Sequence, residues 1–271
     1  MFNKNIKDIL LENIQKKFNF KRTCKYTNEY YLNIIIYILK NGISWREAFK
    51  HPICEKNIKT NHYSSVYKTY KKWAEAKIFE KTYKDLLIGY AKKKIQIKNN
   101  HFLIIDSSTV YNLFGSELIG RYYQNKKRSV KVSLICDDLG IPFNIKLYSA
   151  NTYDSKTILG TLEDNNIREI LGKNLILLGD KGYISKNETK QELKEMGVEL
   201  LTYKRKTQKI QNTEEEKQKL SKRFKVENVF STLKSYKRIF LRYDKKIKNY
   251  MEFIYLGCIL STNKIFQQIN I

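Results

Sequence analysis

His101-Phe102-Leu103-Ile104-Ile105-Asp106 is an apolar run too short for a helix, and it ends in an acid. Its length and composition predict a buried strand. Working outward, Ser129 to Cys136 (SVKVSLIC) alternates polar with apolar residues, Asp137-Asp138-Leu139-Gly140 makes a turn, and Ile141 to Tyr148 alternates back. Those three pieces predict a hairpin. Asp154 to Leu171 reads as helix, and Asn174 to Gly179 (NLILLG) as a second buried strand, ending at Asp180. A helix from Ser185 to Met196, a strand from Val198 to Tyr203 and a long helix from about Thr213 to Phe240 complete the series.

Three strands, helix, strand, helix, strand, helix is the order of an RNase H-like domain, an α/β fold with a mixed sheet flanked by helices. Asp106 and Asp180 then stand out. Aspartate is depleted within strands, and a carboxylate leaving the buried end of one has few structural duties. Ligands of open α/β sheets gather beyond the carboxyl ends of strands. Two such carboxylates on neighbouring strands repel unless a cation lies between them, and magnesium or manganese suits hard oxygen donors of this kind.

A third acid is expected from the last long helix. On a 100° wheel Arg223, Glu227 and Lys234 fall within about 40° of one another. Val226, Val229, Leu233, Tyr236 and Phe240 form an apolar stripe roughly 100° away. The helix would bury one side and present plus, minus, plus beside it; scattered charges on a surface helix would give the same pattern.

Upstream of the lysine-rich stretch from Lys92 to Asn100 everything reads as helical, which predicts an all-α domain over 1–98 and the α/β domain over 99–271. Glu29 to Lys40 is a strongly apolar helix stopped by Asn41-Gly42, a C-cap signal. Ser44 with Glu47 three residues on resembles a capping box. Helix, Asn-Gly turn and capped helix together suggest a helix-turn-helix. A third helix is expected near His62 to Ile78. There Val66, Tyr70 and Trp73 fall within about 60° on the wheel, with Lys68, Lys71 and Lys72 on the opposite side. That lysine face suits DNA phosphates, although a small bundle with a solvated lysine face would look alike.

The charge balance agrees with a polyanion partner. The 271 residues carry 52 Lys and Arg against 27 Asp and Glu, a net charge of +25. Residues 1–100 hold 22 bases and 8 acids, and the remainder 30 and 19. An AT-rich gene would inflate lysine, which supplies 43 of the 52 bases, but would not leave the acids so far behind. Such an excess is the footprint of nucleic-acid binding. Cys24, Cys54, Cys136 and Cys258 are too scattered for a zinc site or a disulfide framework and read as buried thiols. The run Ile34 to Leu39 is far too short to span a bilayer. The N-terminus lacks a signal peptide's continuous apolar stretch, so an intracellular protein is expected.

Four blocks resemble the DDE transposases of bacterial insertion sequences, families four and five. Ile105-Asp106-Ser107-Ser108 resembles the first-acid motif. Gly120-Arg121, Lys126-Lys127, Lys131-Val132, Asp138 to Pro142 and Ala150-Asn151-Thr152-Tyr153-Asp154 resemble the hairpin and the following helix start. Gly179-Asp180-Lys181-Gly182-Tyr183 resembles the second-acid motif. Arg223, Glu227 and Lys234 match the third-acid signature, except that Leu220 stands where the family has Tyr. In the helical part, Gly42-Ile43-Ser44-Trp45-Arg46 and Tyr67 to Trp73 resemble the family's DNA-binding region.

The resemblance implies Asp106, Asp180 and Glu227 as the catalytic and metal-holding residues, with two Mg2+ or Mn2+ ions per site. It implies cleavage at the element's ends followed by attack of the freed 3′-hydroxyl on target DNA. Arg223 and Lys234 would grip phosphates, with Lys131 and Tyr183 as further DNA contacts. Asp154 reads as a helix N-cap. The partners implied are terminal-repeat DNA, target DNA and a second copy of the chain. Two other readings fit the same residues: a nuclease of this fold without strand transfer, and a domesticated DNA-binding protein, which would be expected to have lost an acid.

Overall fold

A computed structural model describes residues 6–18, 26–50, 63–95, 102–121, 127–163, 175–184, 187–205 and 211–268. Cys24, Cys54, His62, Lys126 and the second half of the helix expected to reach Leu171 lie outside the described residues. The chain packs as two compact units. One comprises 1–87, 113–117 and 233–271; the other comprises 88–112 and 118–232. Packing thus divides the chain differently from a single cut at 98/99, because the last helices join the first.

In the first unit, α1 (Ile6–Lys17) and α2 (Asn28–Asn41) precede α3 (Tyr63–Glu75) and α4 (Ile78–Ile95), whose second half runs into the other unit. Thr27 caps α2 by accepting the Tyr30 N–H, and Gly42 ends it at φ 66°, where its N–H reaches the Ile38 carbonyl. That left-handed turn favours glycine. A side chain there would also meet Lys237 Cβ at 2.7 Å. Ser44 accepts the Glu47 N–H, but only a short 3-10 turn, Glu47–Lys50, follows among the described residues. The helix expected to run to Ile78 ends at Glu75, where Lys77 adopts φ 54° and α4 begins.

The helix α10 (Ile247–Gln268) explains why the C-terminus belongs here. Tyr250, Phe253, Ile254, Leu256, Cys258 and Ile259 are all buried along it, more apolar surface than one stripe. It packs on α1, α2 and α3. The Phe253 and Tyr70 rings stack at 4.4 Å, and the Tyr70 hydroxyl donates to the Asn249 carbonyl. Trp45 joins Tyr70 at 5.3 Å, so the Gly42-to-Arg46 motif contributes a half-buried ring to this cluster. Arg238 is buried in this cluster, forked onto Asp244 at 3.2 and 3.3 Å and lying over Tyr243 and Phe253. Val66, Tyr70 and Trp73 are buried as the wheel predicts, and Lys68 and Lys72 are exposed.

The second unit holds β1 (Phe102–Asn112), β2 (Gly120–Arg121), β3 (Arg128–Asp137), β4 (Pro142–Ser149), β5 (Leu175–Gly179) and β6 (Val198–Thr202). From β3 the order runs β1, β5, β6, with β2 and β4 both pairing on the other side of β3. The β1–β3 and β3–β4 pairs are antiparallel, whereas β1–β5 and β5–β6 are parallel. This is the mixed sheet that the order of elements predicts. The hairpin turn is tied by Asp137, whose carboxylate accepts the N–H groups of Leu139 and Ile141 and the Tyr90 hydroxyl. Helices α5 (Ile158–Leu162) and α6 (Asn187–Glu195) also lie in this unit.

The long final helix is broken. Thr213 opens α7 (Glu214–Ser221) through a full capping box with Glu216; α8 is Phe224–Ser235 and α9 is Lys237–Phe240. Val226, Val229 and Leu233 are buried, but the stripe does not continue: Phe240 is 49% exposed, beyond the break at Tyr236. Cys136 and Cys258 are buried thiols. Among the described residues no helix is long and apolar enough to cross a membrane.

Glu252 is buried in α10, where it accepts the Phe79 N–H at the start of α4. A helix N-terminus favours a carboxylate, yet burial outweighs it and pushes the Glu252 carboxyl up to about 8. The folded protein therefore holds a proton that the unfolded chain releases near 4.5. Stability falls as pH rises between those values, by about 1.4 kcal/mol per pH unit. Glu252→Gln keeps an acceptor for Phe79 and removes the proton, so its melting temperature should vary less than the parent's between pH 5 and 8. Parallel profiles for the two proteins would contradict this.

Candidate active site

Asp106 is not at a strand end. It sits in the middle of β1, opposite Leu134 of β3, at the point where the parallel pairing with β5 has stopped. That pairing sets Ile104 beside Leu178, and the same register continued for two residues sets Asp106 beside Asp180. Both residues follow the alternation from buried neighbours, so the two carboxylates leave the sheet together. Asp180 remains extended after β5 and its carboxylate accepts the Gly182 N–H at 2.6 Å, capping a 3-10 turn over Lys181–Tyr183.

The glycines of this block make room. A side chain on Gly179 would meet Tyr183 Cβ at 3.0 Å, so Tyr183 folds back onto the end of β5. A Cβ on Gly182 would lie 2.9 Å from Asp180 Oδ1 and 3.2 Å from Asp154 Oδ2. Two carboxylates thus flank one methyl-sized space. Asp154 is a third acid here that sequence reading assigned to a helix cap. The cap position of its turn is Tyr153, and the Asp154 carboxylate instead takes the Lys131 ammonium at 2.6 Å and the Ser107 hydroxyl.

Electrostatics tie the group together. Burial raises the Asp106 carboxyl to about 6, helped by the charges of Asp180 and Asp154 and opposed by the Ser107 N–H and Arg223. Arg223 lies in the turn before α8, not within one continuous helix, so the wheel holds only for Glu227 and Lys234. The Arg223 Nε is buried without a hydrogen-bond partner. Glu227 is exposed one turn further on, and Lys234 is half-buried. Tyr183 is fully buried with an unpartnered hydroxyl; burial, then Asp106 and Asp154, push its phenol far above the usual range.

The structure therefore brings together Asp106, Asp180, Asp154 and Arg223, with Glu227 exposed on α8 one turn beyond Arg223. Among the described residues no three His, Cys, Asp or Glu are arranged to hold a metal ion. The donor chemistry still suits one: hard carboxylate oxygens border a small space, with an orphaned buried hydroxyl beside them. Lys131 and Tyr183, expected to meet DNA, are only 7% and 0% exposed. Lys131 is turned inward by its ion pair. Sequence reading missed Asp154, Ser107 and the polar face of β3, where Ser129, Lys131 and Ser133 recur at every second position. All three are buried.

A family model described as a transposase DDE domain matches residues 99–262. Among solved structures, the piggyBac transposase synaptic complex with hairpin DNA is similar at a TM-score of 0.54 and 11% identity, over 99% of this chain and 73% of that one. A pre-cleavage Mos1 transpososome aligns at 9% identity over 83% of this chain and 80% of that one, with a TM-score of 0.27. A Mos1 paired-end complex with Mn aligns at 9% identity over 84% and 82%, with a TM-score of 0.28. No curated protein matches. At such identities the piggyBac likeness speaks to the fold alone, and the Mos1 alignments are too loose to add to it. The domain match spans more than half of the chain, so the protein belongs to the transposase DDE-domain family, whose members are metal-dependent enzymes that cut and join DNA.

Proposed function

We propose that this transposase, of the insertion-sequence type, works through Asp106, Asp180 and Glu227 at one centre. The observation that carries the reading is the register of β1 on β5, which, continued two residues past Ile104 and Leu178, sets Asp106 beside Asp180. Glu227 is the third carboxylate. It is exposed on α8, one turn beyond the arginine whose charge already acts on Asp106, and its long side chain closes on the pair. These three would hold two divalent ions, Mg2+ or Mn2+, which supply an activated nucleophile and stabilise the leaving oxygen of a phosphodiester.

The chain's own groups do the rest. Arg223, with a buried and unpartnered Nε beside Asp106, takes a phosphate oxygen next to the scissile bond, a task suited to a guanidinium. Lys234 holds the strand further along α8. A 3′-hydroxyl freed by cleavage stays in the same site and attacks target DNA, so no covalent bond to the protein is needed. Cutting two ends together favours a homodimer on DNA.

The helical segment over 1–98 grips the terminal repeats, with Lys68, Lys71 and Lys72 of α3 facing the phosphates in a helix-turn-helix-like arrangement. Support comes from the exposed positions of Lys68 and Lys72 opposite a buried Val66, Tyr70 and Trp73. Lys71 reaches Glu75 at 3.9 Å across an exposed surface, an ion pair weak enough to yield to a phosphate.

Replacing Asp106, Asp180 or Glu227 by Ala should abolish cleavage of element-end DNA while leaving binding to that DNA within a few-fold, measured by gel cleavage and by fluorescence anisotropy. Metal-dependent cleavage retained by Asp180→Ala or Glu227→Ala would remove that residue from the centre. Replacing Lys71 and Lys72 together by Ala should weaken binding and reduce the dependence of log K on log salt concentration by one to two, about 0.9 per lost phosphate contact. An unchanged slope would take α3 out of the interface.

A further inference from the structure

Asp154 belongs to none of the roles above, yet its carboxylate is tied to two strands of the second unit. Its Oδ1 takes the Lys131 ammonium of β3 at 2.6 Å and the hydroxyl of Ser107 on β1. Ser107 also donates its N–H to Asp106 Oδ1 at 2.8 Å. The other Asp154 oxygen borders the space at Gly182, across from Asp180 Oδ1. One carboxylate therefore touches both segments that carry the paired aspartates. Strand alternation sends Ser107 and Asp106 to opposite faces of β1, so the hydrogen-bonded link from Asp154 to Asp106 runs through the Ser107 backbone, beside the direct effect of its charge.

The turn that carries Asp154 is itself sewn to the sheet. Thr157 Oγ1 donates to the Asp154 carbonyl at 2.8 Å, and Thr161 Oγ1 donates to Ser133 of β3 at 2.9 Å. Tyr148 of β4 donates to the Thr157 carbonyl at 3.1 Å, and the Asn144 amide to the Thr161 carbonyl at 2.7 Å. The Thr161–Ser133 and Asn144–Thr161 bonds are buried and the other two part-buried, where a missing partner is costly, so the turn has little freedom to shift. Lys131 at 7% exposure serves as a fixed internal counter-charge. Tyr183 closes the far side, fully buried, its hydroxyl unpartnered and under the influence of both Asp106 and Asp154.

We infer that Asp154, held by Lys131, is a positioning residue that sets the separation of Asp106 and Asp180 and so pre-forms the cation site. The inference rests on the reading of Asp106 and Asp180 as the metal-holding pair. Outer partners of this kind typically account for 10- to 100-fold in metal affinity. The lone substitution Asp154→Asn leaves a buried lysine unpaired and is expected to weaken the fold. The double substitution Asp154→Asn with Lys131→Met removes both charges together, keeps an acceptor for Ser107 and preserves volume.

The test is Mn2+ binding to the DNA-free full chain, followed by electron paramagnetic resonance of the unbound ion, with binding of element-end DNA measured alongside. The double variant, shown folded by its circular dichroism and a cooperative melt, is expected to bind Mn2+ roughly 10- to 100-fold more weakly and to bind DNA as the parent does. An Mn2+ affinity within two-fold of the parent overturns the inference, while Asp106→Ala losing Mn2+ in the same assay keeps the catalytic reading intact. A loss in the double variant as complete as in Asp106→Ala also overturns it, since Asp154 would then be a direct ligand. A parent protein that binds no Mn2+ sinks the catalytic reading, and the positioning role with it.

Discussion

The register of β1 against β5 is the constraint from which the site follows. It is set by the apolar pairs just before the two acids, Leu103 with Leu177 and Ile104 with Leu178, all four buried. Successive side chains face opposite sides of the sheet, and Leu103, Ile104 and Ile105 are all buried, so both faces of the strand are covered there and the fit of these side chains against their neighbours holds the register. Hydrophobic burial thereby sets two aspartates side by side that would otherwise repel. Like charges about 5 Å apart at an effective dielectric near 20 repel by roughly 3 kcal/mol, less than the burial of two large aliphatic side chains contributes. The core wins, and burial, with a smaller push from the neighbouring Asp180, raises the Asp106 carboxyl to about 6.

Around that pair the fold supplies opposite charge in two different ways. Lys131 is fixed inside, spent on Asp154. Arg223 stands at the head of α8 with a donor uncommitted. An internal cation stabilises the arrangement of the site, whereas an uncommitted one serves a ligand. The exposed lysines of α3 form a third group, remote in sequence from the acids and suited to the long-range attraction of a polyanion by a chain of net charge +25.

Much of this was legible in the residues. The strand–hairpin–helix order was carried by runs such as NLILLG and by the Asp137-to-Gly140 turn, whose bonding is local. The apolar face of α3 was visible because Val66, Tyr70 and Trp73 share one helical period. Elements whose limits depend on tertiary packing were not legible. Nothing local marks Lys222 and Arg223 as a break between α7 and α8, nor shows that α10 would cover the N-terminal helices rather than the sheet. The strand of Asp106 was cut short because Ser107, Ser108 and Thr109 look like loop, although they pair along β3. Asp154 was misread for the same reason: an acid at a helix start is usually a cap, and only the fold brings Lys131 and Ser107 to it. Glu227 was expected to meet the two aspartates, and it lies exposed on α8.

The account stands on two aspartates from neighbouring strands serving a single ion site that a glutamate completes. Anomalous scattering from Mn2+ in crystals of the protein bound to element-end DNA examines this most directly. The account predicts manganese peaks in contact with both Asp106 and Asp180, with the Glu227 side chain swung onto the same ions. Peaks that leave either aspartate uncoordinated, or that find Glu227 still turned to solvent, would contradict it.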